Sequence, residues 1–243
     1  MTRCILVVCS LVLITLALGL CVPARRVPTE NPFPLSLGTY WIYRGHVRWT
    51  HENSNQVSDA RIAWRADIRR VIDHGDVRGV VVSGFPFDSA WSDGRPTASD
   101  SLLVESKNKF YLISSENVQK SVRRLEQPAD NLDGLLSDDD LILEWPLATG
   151  QKYACDAYSM ARSDNMYCWI VSALARTSLQ GVSGIPSGER DEYVLEFRTN
   201  PDDTEFSFVP EIGITKYAYH HHGTVADTEL QLVEFHPGSV KRD

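Results

Sequence analysis

The chain has 243 residues, 43% of them apolar and 23% charged, with 15 Gly and 12 Pro. That balance excludes a disordered, collagen-like or low-complexity polypeptide and suits one large β domain or two small ones. Twenty-four Lys and Arg against 32 Asp and Glu give a net charge of −8, the wrong sign for wrapping nucleic acid.

Arg3 precedes an uncharged, mostly apolar run from Cys4 to Ala24, the pattern of an export leader rather than of the fold. Its length is near the roughly 20 residues that span a bilayer. Three fates compete. The chain can be cleaved after Ala24 in Val22-Pro23-Ala24. It can be lipidated at Cys21 in Leu18-Gly19-Leu20-Cys21, which resembles a lipobox but has Leu20 where a small residue is usual. The run can also stay as an N-terminal anchor. All three put the body outside the cytoplasm, in the periplasm, at the cell surface or in the medium. Residues 1–24 therefore read as signal peptide or anchor, 25–32 as a short linker, 33–236 as a single β domain and 237–243 as a C-terminal tail. The leader holds one base and no acid, so the body carries −9, which argues against a polybasic membrane patch. Membrane contact is expected through the N-terminal segment only.

Period-2 patterning dominates the body. A strand is expected at Trp41–Thr50. From Ala60 to Ile68 the even positions (Ala60, Ile62, Trp64, Ala66, Ile68) are all apolar, which fits a half-buried strand and not a helix. Val77–Phe85 follows as a strand, and Leu102–Glu105 with Phe110–Ile113 make a hairpin around Ser106–Lys109. Val118, Val122 and Leu125 have helical spacing after Ser115, and Pro128 closes the run, but a polar strand fits Ser115–Leu125 nearly as well. Asn131–Asp140 reads as an acidic loop in which Asp138, Asp139 and Asp140 are expected to be solvated, with metal binding as the alternative.

Leu141–Trp145 is the next strand. If Tyr153–Tyr158 and Met166–Ser172 then fold back about Ala161–Arg162, Cys155 falls opposite Cys168, within the Cα separation a disulfide needs. These are the two cysteines left once Cys4, Cys9 and Cys21 are assigned to the leader, and an oxidising compartment would pair them. The alternative is two small buried apolar residues. Tyr193, Leu195 and Phe197 alternate with Val194, Glu196 and Arg198, turn at Asn200-Pro201-Asp202-Asp203 and return through Phe206 and Phe208. Gly213–His222 and Thr228–Phe235 complete roughly ten strands with one candidate helix. The expected class is all-β and mainly antiparallel: one curved sheet, a half-barrel or barrel, with at most one or two short helices.

One internal echo stands out. Phe33-Pro34-Leu35-Ser36-Leu37-Gly38-Thr39-Tyr40-Trp41 parallels Trp145-Pro146-Leu147-Ala148-Thr149-Gly150-Gln151-Lys152-Tyr153. Pro fixes an extended entry, Leu plugs the sheet end and Gly permits the turn into a strand, which implies equivalent entries into two halves of the sheet. At these residues the sequence resembles a group of exported bacterial proteins with a PL-x-x-G-x-x-W-x-Y opening. Ile185-Pro186-Ser187-Gly188 is similar to that group's VPAG turn, and Val209-Pro210-Glu211-Ile212-Gly213-Ile214 to its PGVG segment, with Glu211 in place of the first Gly. Glu229–Phe235 resembles its final strand. The resemblance implies an antiparallel half-barrel like that of periplasmic lipoprotein carriers, and it brings no catalytic residues with it.

Chemistry is sparse. On a strand, His220 and His222 share a face and could give two imidazoles to Zn²⁺, with another ligand drawn from His46, His51, His74, His236 or an acid. The plainer reading is a polar strand end before Gly223. Nucleophile-elbow, metalloprotease, P-loop and dinucleotide-binding motifs do not occur. Trp41, Trp49, Trp64, Trp91, Trp145 and Trp169 either fill a core or line a concave surface. The leading expectation is a non-enzymatic extracytoplasmic binding or carrier domain for an apolar or amphipathic small molecule, a lipid or a partner segment, without a cofactor. The alternatives are a zinc-dependent hydrolase using His220 and His222, and a structural protein of the cell envelope.

Overall fold

The computed structural model describes residues 32–51, 54–89 and 97–239. The run read as a leader, with Cys21, together with Trp91 and the last residues of the chain, lies outside the described residues.

The first half of the chain forms β1 (Tyr40–Thr50), β2 (Val57–His74), β3 (Val77–Ser83), β4 (Asp100–Ser106), β5 (Lys109–Ile113) and β6 (Leu141–Glu144). The second forms β7 (Lys152–Tyr153), β8 (Trp169–Ser178), β9 (Glu189–Arg198), β10 (Asp202–Val209), β11 (Gly213–His221) and β12 (Ala226–His236). All twelve described strands belong to one antiparallel sheet in the order β6-β5-β4-β3-β2-β1-β12-β11-β10-β9-β8-β7. Each half is a meander, β1 pairs with β12 to join them, and the two edge strands are neighbours in sequence. The sheet curls into a nearly closed barrel whose seam lies between β6 and β7.

The register follows the alternation. Trp41 lies between Ala66 and Phe235, and Tyr43 between Trp64 and Leu232, so these side chains share the inner face. The echoed entries sit at the starts of the two halves and turn alike at their glycines, although the Trp145–Pro146 bond is cis and Phe33–Pro34 is not. Gly38 and Gly150 both have φ of +84°, a conformation that favours glycine. Ile68 N–H donates to Thr39 O (2.9 Å) in one half and Val171 N–H to Gln151 O (3.0 Å) in the other.

Ser115–Leu125, open between helix and strand in the sequence, is an α-helix, α1. Val118, Val122 and Leu125 are buried, with Leu125 packed at Gly79 on the outer face of β3. Here the outer face of the sheet is as apolar as the inner one: Val81, Leu102 and Val104 alternate with Val80, Val82 and Leu103, and all six are buried. A helix covering them resolves the ambiguity. Its N-cap is Ser114.

The hairpin expected at Tyr153–Tyr158 and Met166–Ser172 is corrected. β7 ends at Tyr153, Ala154 turns at φ +54°, and Ala157–Ala161 form a short helix, α2, capped by the Asp156 carboxylate on Ser159 N–H at 2.7 Å. Pairs run one position off the expected register, Lys152 with Ile170 and Tyr153 with Trp169. The turn at Ala154 restores the offset, and Cys155 and Cys168 are joined with Cα atoms 4.9 Å apart.

Much of the barrel is filled by its own connections. Phe33 lies between Phe110 of β5 (ring centroids 5.6 Å) and Phe208 of β10 (5.1 Å), bridging opposite walls. From the other end a 3-10 turn at Pro86–Ser89 drops in Phe87, which stacks on Tyr217 at 5.1 Å. The void left among Phe33, Trp41, Val82 and Leu103 is about 10 Å³, at the threshold for one water. The 179–188 connection crosses to β12, where Ser183 exchanges 2.9 Å bonds with Val233 O and Phe235 N. A Cβ on Gly184 (φ +82°) would run into the Phe235 carbonyl, so this close approach needs glycine.

Candidate functional site

The seam is where the barrel fails to close. β7 has only two residues, and no ladder joins it to β6. Side chains bridge one end of the gap: Tyr153 OH donates to Ile142 O at 2.9 Å, and Gln151 Nε2 to Glu144 O at 3.3 Å. Beyond Ala154 the chain leaves the sheet, and the gap opens into a cavity of about 600 Å³.

Its lining comes from both sides of the seam and from the barrel interior. Phe87, Leu112, Ile142, Trp169 and Phe197 make the apolar wall, and Thr204 of β10 also lines it. Trp169 lies 5.2 Å from Phe197 and 6.2 Å from Phe87, ring centre to ring centre. Phe87, Leu112 and Phe197 are only half-buried, although they sit within a barrel whose core aromatic side chains are closely packed. The disulfide is part of the wall through Cys155, and it fixes the turn from which α2 projects. Tyr158 and Met160 of α2 and the nearby Tyr167 are exposed apolar side chains at 72%, 45% and 41%.

The polar lining is one-sided. Asp139 and Asp140, from the 3-10 turn Asp138–Asp140 before β6, and Asp156, the cap of α2, all line the cavity, and among the described residues no Lys, Arg or His does. Burial pushes the Asp140 carboxyl above its ordinary range, with the neighbouring Asp139 charge adding to the effect. Hydrogen bonds from Ser159 hold Asp156 below it. The rim cation Arg162 is engaged by Asp164 (Nε to Oδ1 2.8 Å) and lies over the Tyr167 ring at 5.7 Å.

The histidine triplet lies at the end of β11, each ring on its own carboxylate. His220 meets Asp227 at 3.3 Å, His221 meets Asp202 at 2.6 Å and His222 meets Asp203 at 2.9 Å. Asp202 also accepts from Tyr219 OH at 2.7 Å. Among the other candidate ligands, His46 meets Asp59, His51 meets Ser58, His74 meets the Leu125 and Asp130 carbonyls, and His236 stacks on Tyr40. Among the described residues, no group of three or more His, Cys, Asp or Glu is placed to hold a metal ion. Nor, among them, is any helix long and apolar enough to cross a membrane.

Of the tryptophans, Trp41, Trp64, Trp145 and Trp169 are buried, and Trp169 alone among them borders the cavity. Nothing in the linear pattern marks Phe87, Leu112, Asp139 or Asp140 as parts of one site. A site assembled from strands that meet only on barrel closure leaves no local spacing to read, and the Asp run carries only an ordinary loop signal.

No family model and no curated protein matches the chain. Two solved structures are similar to it. One is a candidate exported protein with a YmcC-like fold from Bacteroides fragilis NCTC 9343, 11% identical, with a TM-score of 0.36 over 84% of this chain and 98% of that one. The other is a candidate lipoprotein from Parabacteroides distasonis ATCC 8503, 11% identical, with a TM-score of 0.35 over 84% of this chain and 97% of that one. At these scores neither likeness bears on function.

Proposed function

We propose that this chain is an extracytoplasmic, non-enzymatic binding domain that holds one apolar or amphipathic molecule in the seam cavity. The observation that carries the reading is the cavity itself: about 600 Å³ beside a void of only about 10 Å³ in the filled part of the same barrel. Its size falls within the roughly 300–1,000 Å³ of small-molecule sites. An apolar wall with partly exposed Phe87, Leu112 and Phe197 gains by covering, since apolar area removed from water contributes about 25 cal/mol per Å². The leader run from Cys4 to Ala24 and the Cys155–Cys168 bridge support an oxidising compartment.

Nile red, an uncharged apolar fluorophore, tests this. The full chain is expected to bind it saturably at one site. Thr204→Trp, which places an indole in the cavity, is expected to abolish that binding with the far-UV circular dichroism unchanged. Absence of saturable binding, or equal binding by the variant, contradicts the reading.

A further inference from the structure

Resting on that reading, we propose that the ligand is an amphipathic cation, an apolar body carrying an ammonium or quaternary ammonium head. The wall carries the rings of Phe87, Trp169 and Phe197, with Phe87 stacked on Trp169 and Tyr217, and the charged lining consists of carboxylates alone, from Asp139, Asp140 and Asp156. Aromatic rings attract a cation through their quadrupole, and the three carboxylates add charge of the complementary sign. A carboxylate-bearing ligand would bring its charge to a lining that already holds the exposed Asp139 and Asp156 and the half-buried Asp140, with no base to pair with it, which costs free energy.

Two further features agree. The rim cation Arg162 is already paired with Asp164, so it leaves the acidic lining unneutralised. Burial and the like-charged Asp139 raise the Asp140 carboxyl, and a bound cation would offset the Asp139 charge and favour the ionised form. Tyr158 and Met160, exposed on α2 either side of the lining residue Ser159, offer apolar surface to whatever part of the ligand's tail projects.

The test compares three amphiphiles of one chain length on the full chain, below their micellar concentrations and at low salt: dodecyltrimethylammonium, dodecanol and dodecanoate. Calorimetric titration is expected to rank them in that order, with the cation at least about tenfold tighter than the carboxylate, and added salt is expected to narrow the gap. The combined variant Asp139→Asn, Asp140→Asn, Asp156→Asn is expected to bring the cation down to the alcohol, while α2 keeps its cap because asparagine serves there as well as aspartate. Equal affinities, or a preference unchanged in the variant, overturn the charge assignment and leave the binding role standing. Cation binding that survives Thr204→Trp is surface adsorption and also overturns it. Failure of all three to bind sinks the binding role and this inference together.

Discussion

At the scale of single residues, the fold leans on a few local solutions that are visible only in three dimensions. Asp130 binds Arg124 through two bonds, 2.9 Å to Nε and 2.7 Å to Nη2, and accepts the Leu132 N–H at 2.7 Å. These contacts tie the end of α1 to the loop that leads to the cavity rim. Those bonds, the Arg124 ones first, hold the Asp130 carboxyl down at about 2, against roughly 3.9 in an unfolded chain. A depressed carboxyl stabilises the fold above its unfolded pKa and loses that contribution as pH falls toward its folded value. Thermal melts are therefore expected to show Tm dropping between about pH 4 and pH 2. Asp130→Asn should be less stable than wild type at pH 7 and show a shallower fall across that window. A variant with the wild-type slope would contradict this role. Glu211 is a different case: it stands where the resembled segment has Gly and adopts φ +68°, a conformation that costs a side chain roughly 1–2 kcal/mol.

At the scale of elements, alternation identified most strands, because a side chain on a curled sheet faces either the interior or the outside. It was least informative where both faces are covered, under α1, and where an element has too few residues to alternate, as in β7. The 179–188 crossing onto β12 was not legible, since backbone bonds to a distant strand leave no pattern in side-chain polarity. The Cys155–Cys168 pairing was read from an assumed hairpin of which only the outer rungs exist, yet the bridge is there because Ala154 takes up the missing residue. The bridge closes a short loop, and by the chain-entropy model it contributes about 3 kcal/mol. Reduction, or Cys155→Ala with Cys168→Ala, is expected to lower the denaturant midpoint accordingly and to weaken Nile red binding, because the turn into α2 forms part of the cavity wall. Loss of stability with unchanged binding would place the cavity elsewhere.

For the whole molecule, the fold class and its two halves were legible and the site was not. The repeated aromatic-Pro-Leu entries at Phe33 and Trp145 announce two meanders, and each begins a set of six strands. What the repeat cannot state is that β6 and β7 meet without pairing, since that follows from the summed curvature of twelve strands. The cavity is a product of this incomplete closure. Its carboxylates come from the connections that flank the two edges, one before β6 and one after β7. The proposed role therefore requires ligand space at the seam and none in the filled interior around Phe33. The most direct measurement is a crystal of the full chain soaked with 10-bromodecanol, with the bromine located by anomalous scattering. A peak among Phe87, Trp169 and Phe197 is expected; a peak among Phe33, Trp41 and Val82, or on the outer face alone, would contradict the role.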